Sequence, residues 1–94
     1  MPKPLSPLER KSLKARAHAL EPVVQIGAAG LTPAVVREVD VALTAHELIK
    51  VRAGGDDRVS RRALLEALCE QTGASPVQHI GKVLVLWRAR PSTP

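Results

Sequence analysis

Residues 83 to 87 read VLVLW, five apolar side chains in a row between Lys82 and Arg88. A run this short and β-branched reads as a strand. Successive side chains of a strand point to opposite faces, so both faces of this one are apolar, and it belongs in the interior of a sheet with helices packed on it. The chain has 94 residues, enough for one domain with a single modest core.

The remaining strands come from three shorter patterns. PVQHI precedes VLVLW across Gly81 and Lys82, the length and chemistry of a tight hairpin. ELIKVRA alternates, with Leu48, Lys50 and Arg52 on one face and Ile49, Val51 and Ala53 on the other, before a GGDDR break. PVVQI is another β-branched run. A helix precedes each of the first three strands. Ser6 as N-cap, Pro7 in the first turn and Glu9 completing a capping box start a helix from about Pro7 to Ala19, with Leu8, Leu13, Ala17 and Leu20 as its apolar stripe. Thr32 and Pro33 open PAVVREVDVALTAH, with Val35, Val36, Val39, Ala42 and Leu43 inward and Arg37, Glu38, Asp40 and Thr44 outward. Ser60 is placed to cap RRALLEALCEQT, whose stripe is Leu64, Leu65 and Leu68 and whose C-cap is Gly73. The predicted fold class is α/β (α+β), a single domain over residues 1–90 in the order αβαβαββ. It has one mixed sheet of about four strands with three helices, and residues 91–94 are a short frayed tail.

Charge and composition remove most function classes. Lys plus Arg number 14 against 9 Asp plus Glu, a net charge of +5 and a pI near 10.2, which favours anionic partners, nucleic acid first. No apolar stretch approaches the roughly 18 residues that span a bilayer, and MPKPLSPLER lacks the apolar core of a signal peptide, so a cytoplasmic protein with no membrane partner is expected. Cys69 has no partner for an internal disulfide and reads as a core residue. His18, His46 and His79 fall on separate elements, so neither a metal nor a cofactor is expected. No nucleophile–base pair or carboxylate pair stands out, which points to a non-enzymatic protein without a small-molecule substrate. Glu47 reads as a strand-edge charge, and Trp87 reads as core. With no Phe, no Tyr and one Trp, an aromatic base-stacking platform is ruled out, leaving a reader of RNA backbone and shape more than of base sequence.

The stretch VVQIGAAGLT carries the sharpest functional signal. Gly27, Ala28, Ala29 and Gly30 form neither a phosphate-binding Walker loop nor a dinucleotide fingerprint. Two readings stay open: a strand-to-helix turn that needs positive φ, or a bared backbone that a phosphate approaches, helped by the helix start behind it. The alanines bring no charge, so attraction must come from elsewhere. Arg10, Lys14 and His18 recur at four-residue spacing with Lys11 beside them, and the first 16 residues hold Lys3, Arg10, Lys11, Lys14 and Arg16 against the single acid Glu9. Lys50 and Arg52 are further candidates. A KH-like domain is an alternative, although KH architecture places its loop between two helices and VVQI reads as a strand. A protein-interaction adaptor whose basic helix docks an acidic partner is another.

Three stretches, AHALEPVVQIGAAGLT, HELIKVRA and VQHIGKVLVLWR, occur in that order over nearly the whole chain. Together they resemble the CRM domain, known in bacteria from small YhbY-like proteins. The resemblance implies an αβαβαββ fold similar to the C-terminal domain of translation initiation factor three. It also implies binding to ribosomal RNA in precursors of the large ribosomal subunit, with a role in their maturation; plant relatives use the domain in intron splicing. The RNA-binding positions carry over to Gly27 and Gly30 and, by position, to Lys11 and Lys14. The sequence departs from the family in having Ala28 and Ala29 where related loops often carry polar or basic residues, and in its short C-terminal tail. A monomer is expected.

Overall fold

Strand β4 (Val83–Trp87) lies inside the sheet, and Leu84, Val85 and Leu86 are fully enclosed. The computed structural model describes residues 5–54 and 57–89; the expected tail at 91–94, Lys3 and part of the GGDDR break lie outside them. The other elements are α1 (Pro7–Ala17), β1 (Pro22–Ile26), α2 (Pro33–His46), β2 (Leu48–Ala53), α3 (Arg58–Thr72) and β3 (Ser75–Ile80). The αβαβαββ order is therefore as read from the sequence. The four strands form one mixed sheet in the order β1-β2-β4-β3, with β1 parallel to β2 and the other pairs antiparallel.

Helices cover both faces because β4 is apolar on both. On one side, Val39 and Leu43 of α2 and Leu65 and Leu68 of α3 pack on Val24, Ile26, Ile49, Val51, Ala53, Leu84 and Leu86. On the other, Leu13 and Ala17 of α1 join Leu48, Val77 and Val85. Trp87 is half-buried at the margin of this second cluster, since it ends its strand. The helix starts follow local chemistry. The Ser6 hydroxyl accepts from the Glu9 N–H at 3.1 Å while the Glu9 carboxylate accepts from the Ser6 N–H at 3.1 Å, and Thr32 Oγ1 accepts from the Val35 N–H at 3.2 Å. Gly73 closes α3 at φ +75°, the left-handed cap anticipated for it.

Four local expectations are corrected. Leu8 is 78% exposed, and Leu5, ahead of the helix, takes its place in the core. Helix α1 ends at Ala17, because Ala19 and Leu20 bond back only three residues, to the carbonyls of Arg16 and Ala17, a tightening that turns Leu20 in before Pro22. Asp57, not Ser60, caps α3: its carboxylate accepts from the Val59 N–H at 3.0 Å and from the Ser60 hydroxyl at 2.9 Å, so Ser60 sits inside the first turn. Glu47 is not a strand edge. It is the C-cap of α2 at φ +63°, donating its N–H to the Leu43 carbonyl at 2.8 Å and accepting from the Arg88 N–H at 2.9 Å.

Arg88 ties the two-helix layer together from the end of β4. One guanidinium nitrogen donates to Asp40 Oδ1 at 2.6 Å and to the Thr72 carbonyl at 2.8 Å; the other donates to the Asp40 carbonyl at 3.0 Å and to Thr44 Oγ1 at 2.9 Å. Asp40 and Thr44 do face away from the core, but they face this fork. Arg88→Met should destabilise the protein by about 2 kcal/mol in urea unfolding, the scale of hydrogen bonds to a charged group. Arg88→Lys should recover little, because an ammonium cannot span both helices in the same way. Unchanged midpoints for both variants would remove the fork's role.

Cys69 lies in the buried stripe of α3, and burial, with Glu66 adding to it, pushes its thiol up to about 12. A group raised this far stays protonated and unreactive through neutral pH. The native protein at pH 8 should resist a thiol reagent that modifies it readily in urea; equally fast modification in both would contradict the buried thiol.

Candidate nucleic-acid interface

The Gly27–Gly30 loop is a β-turn: the Gly30 N–H donates to the Gly27 carbonyl at 3.0 Å, with Ala28 and Ala29 at the centre. Neither alanine takes a positive φ, whereas Gly30 takes +72°. Glycine is thus demanded at position 30 by conformation. At Gly27 it is not. Its φ lies outside the left-handed region, and a Cβ there would meet nothing within 4 Å. A turn-only reading accounts for one glycine; an exposed backbone accounts for both. Ala28 and Ala29 are exposed, and among the described residues nothing bonds to their amides. Helix α2 opens immediately behind, adding the partial positive charge of its N-terminus.

Two further connections meet this loop. The Gly54 N–H donates to the Ile26 carbonyl at 3.2 Å, and the Ala53 N–H donates to the Lys82 carbonyl at 2.8 Å, so the loop, the segment after β2 and the β3–β4 turn share one end of the sheet. Gly81 takes φ +54° in that turn. Helix α3 starts at the same end, and Arg58, Arg61 and Arg62 stand within its first five residues, against the usual preference for acids there. Arg61 is buried and donates through Nε to His79 Nε2 at 3.4 Å. The capping Asp57 is held below the usual carboxylate range, first by the Ser60 hydroxyl and then by the Val59 N–H, and is ionised at neutral pH.

Helix α1 approaches from the other face and covers only part of it. Its Glu9, Ser12 and Arg16 flank borders Trp87, which pairs with Leu48 at the end of the strands away from the loop. Lys14 and His18 each follow a buried residue, Leu13 or Ala17, by one position, a rotation of about 100° that turns them to the flank away from Trp87, which Arg10 shares one turn earlier. Lys50 is half-buried and Arg52 exposed, both on the α1 side of β2. Lys11 is exposed beside this flank. The structure does not bring in the others. Arg10 lines a groove with Arg62, Glu66, Gln78 and His79 at the β3 edge, and Arg16 sits by Trp87.

Three residues at this end escaped the sequence reading: Lys82, Arg58 and Gln25. Lys82 was visible as a cation in a hairpin turn, but its proximity to Ala53 depends on strand order. Gln25 carries no signal until its register opposite Arg52 is known. Among the described residues no group of His, Cys, Asp and Glu could hold a metal ion, and no helix is long and apolar enough to cross a membrane.

The chain is thus a small α+β domain that presents bare backbone and cations at one end of its sheet. Residues 5–88 match the model of the CRS1/YhbY (CRM) domain, and the chain belongs to that family. It is similar to a Haemophilus influenzae protein named "RNA-binding protein", with 45% identity over 84 residues that cover 89% of this chain and 85% of the relative. It is also similar to "Probable RNA-binding protein PA4753" of Pseudomonas aeruginosa, at 42% identity over 88% of this chain and 80% of the relative. The solution structure of SAV1595 from Staphylococcus aureus superposes with a TM-score of 0.84 at 30% identity, covering 96% of this chain and 94% of that one. The loop lies between a strand and a helix, which sets the domain apart from the KH arrangement.

The two glycines should separate in a stability measurement. Gly30→Ala should cost about 1 kcal/mol or more from its left-handed φ, while Gly27→Ala should leave the urea midpoint unchanged. Equal losses would return Gly27 to a purely structural role.

Proposed function

We propose that the protein binds RNA without catalysing a reaction on it, and that its target is ribosomal RNA in precursors of the large ribosomal subunit, whose maturation it assists as a cytoplasmic monomer. The observation that carries the RNA reading is Gly27, a glycine with no conformational or packing reason of its own, set among cations at the end of the sheet. The names of the relatives support the same reading. The ribosomal target rests on the resemblance to bacterial members of the family.

The geometry supports a division of labour. A phosphate approaches the backbone at Gly27 and meets the amides of Ala28 and Ala29 and the positive end of α2. Lys11, Lys14, His18, Lys50 and Arg52 line the approach and supply the longer-range attraction. Phosphate contacts of this kind position the RNA without reading its sequence.

Fluorescence anisotropy with labelled large-subunit rRNA fragments over a salt series tests this. Lys11→Ala combined with Lys14→Ala should flatten the slope of log affinity against log salt by about 0.7 for each single-strand phosphate that is no longer neutralised. Gly27→Asp should weaken binding in a folded protein, and Arg16→Ala, on the far flank, should leave the slope alone. An unchanged slope in the double variant would eliminate the α1 ridge. In lysates the protein should sediment with large-subunit precursors until RNase is added; partners that survive RNase would favour an adaptor role instead.

A further inference from the structure

One face of the sheet carries a row of four side chains that α1 leaves uncovered or half-covered. The registers connect them in sequence: Gln25 of β1 faces Arg52 of β2, Arg52 faces Val83 of β4, and Val83 faces Ile80 of β3. All four point to the α1 side. Val24 and Ile26 flank Gln25 and are buried on the opposite side, as are Val51 and Ala53 around Arg52, and Val83 packs against the α1 cluster. With strands about 4.8 Å apart the row spans about 14 Å. It lies at the loop end of the sheet, and at Val83 it meets the cluster formed with Leu13 and Ala17 of α1.

The chemistry of the row changes along its length. Gln25 and Arg52 are exposed, and among the described residues neither side chain has a hydrogen-bond or ion-pair partner. Ile80 is 51% exposed although it is a large apolar residue on a strand, and Val83 is half-buried next to it. A phosphate would use only donors and would gain nothing from Ile80. A nucleobase uses both ends: its edge carries mixed donors and acceptors that match an amide and a guanidinium, and its face needs an apolar surface.

Building on the RNA reading above, we propose that this row receives an unpaired RNA purine whose backbone is held at the Gly27 loop. Arg52 takes the O6 and N7 edge of a guanine through its two-pronged fork, Gln25 bonds the adjacent edge, and Val83 and Ile80 carry the ring face. The domain then has selectivity at one base within an otherwise sequence-blind backbone contact, achieved without aromatic stacking.

The test uses the full chain and short unstructured oligouridylates that differ only in a single central G, A, C or U. Wild type should prefer the G probe over the U probe by at least about fivefold, the low end for one two-pronged pair. Arg52→Lys keeps the charge and Gln25→Ala removes none, so both should abolish the preference with the salt slope unchanged. Ile80→Ser, at an exposed position, should weaken binding to the purine probes with the slope unchanged. Lys14→Ala should do the reverse, lowering the slope and keeping the preference. Equal affinity of wild type for all four probes, or a preference that survives both Arg52→Lys and Gln25→Ala, overturns the base-reading row and leaves the RNA reading intact. No binding to these probes or to the rRNA fragments overturns both.

Discussion

Val83–Trp87 holds Leu84 and Leu86 against α2 and α3 and Val85 against α1, all of them enclosed. A strand of this kind can exist only where both faces are covered and both edges are paired, so β2 and β3 must flank it and helices must lie above and below. The rest of the architecture follows from that requirement. β2 pairs with β4 on one side and accepts β1 in parallel on the other, which forces the α2 crossover and places the Gly27–Gly30 loop at the same end as the β3–β4 turn.

The two helical layers are unequal, and the candidate site occupies the difference. Two helices cover one face, whereas α1, with 11 residues, crosses the other over the Leu48 and Val85 end of the strands. The half of the face nearest the loop keeps only the side chains it carries: Gln25, Arg52, Val83 and Ile80. The α1 flank that would otherwise be bland surface carries Lys14 and His18, so the edge of the cover is cationic. The open strip of sheet is thus the product of one incomplete layer.

Signals that act within a turn or two of helix were legible. Ser6 and Glu9, Thr32 with Pro33, and Gly73 all do what their local chemistry predicts, because a cap is satisfied by neighbours in sequence. The misreadings are of two kinds. Ser60 and Asp57 are both local candidates to cap the same helix, and Asp57 takes the role by binding the Val59 N–H and the Ser60 hydroxyl. Leu8 and Leu5 both suit the core, and the crossing of α1 selects Leu5. Glu47 takes a left-handed φ because the chain reverses directly from α2 into β2 and the Arg88 amide fixes its carbonyl. The outcomes at Leu5 and Glu47 have no short-range signature.

The sequence by itself determined the element order, the interior place of VLVLW, the positive charge and the Gly-x-x-Gly loop ahead of a helix, since each depends on periodicity, composition or neighbours along the chain. Only the tertiary structure decided that the two glycines differ, that Arg16 borders Trp87 while Arg10 lines the β3 edge, that Arg88 joins α2 to α3, and that Gln25, Arg52, Val83 and Ile80 form one row. The physical reason is register. Those four residues come from four strands and are as many as 58 positions apart, from Gln25 to Val83, and strand pairing alone places them side by side.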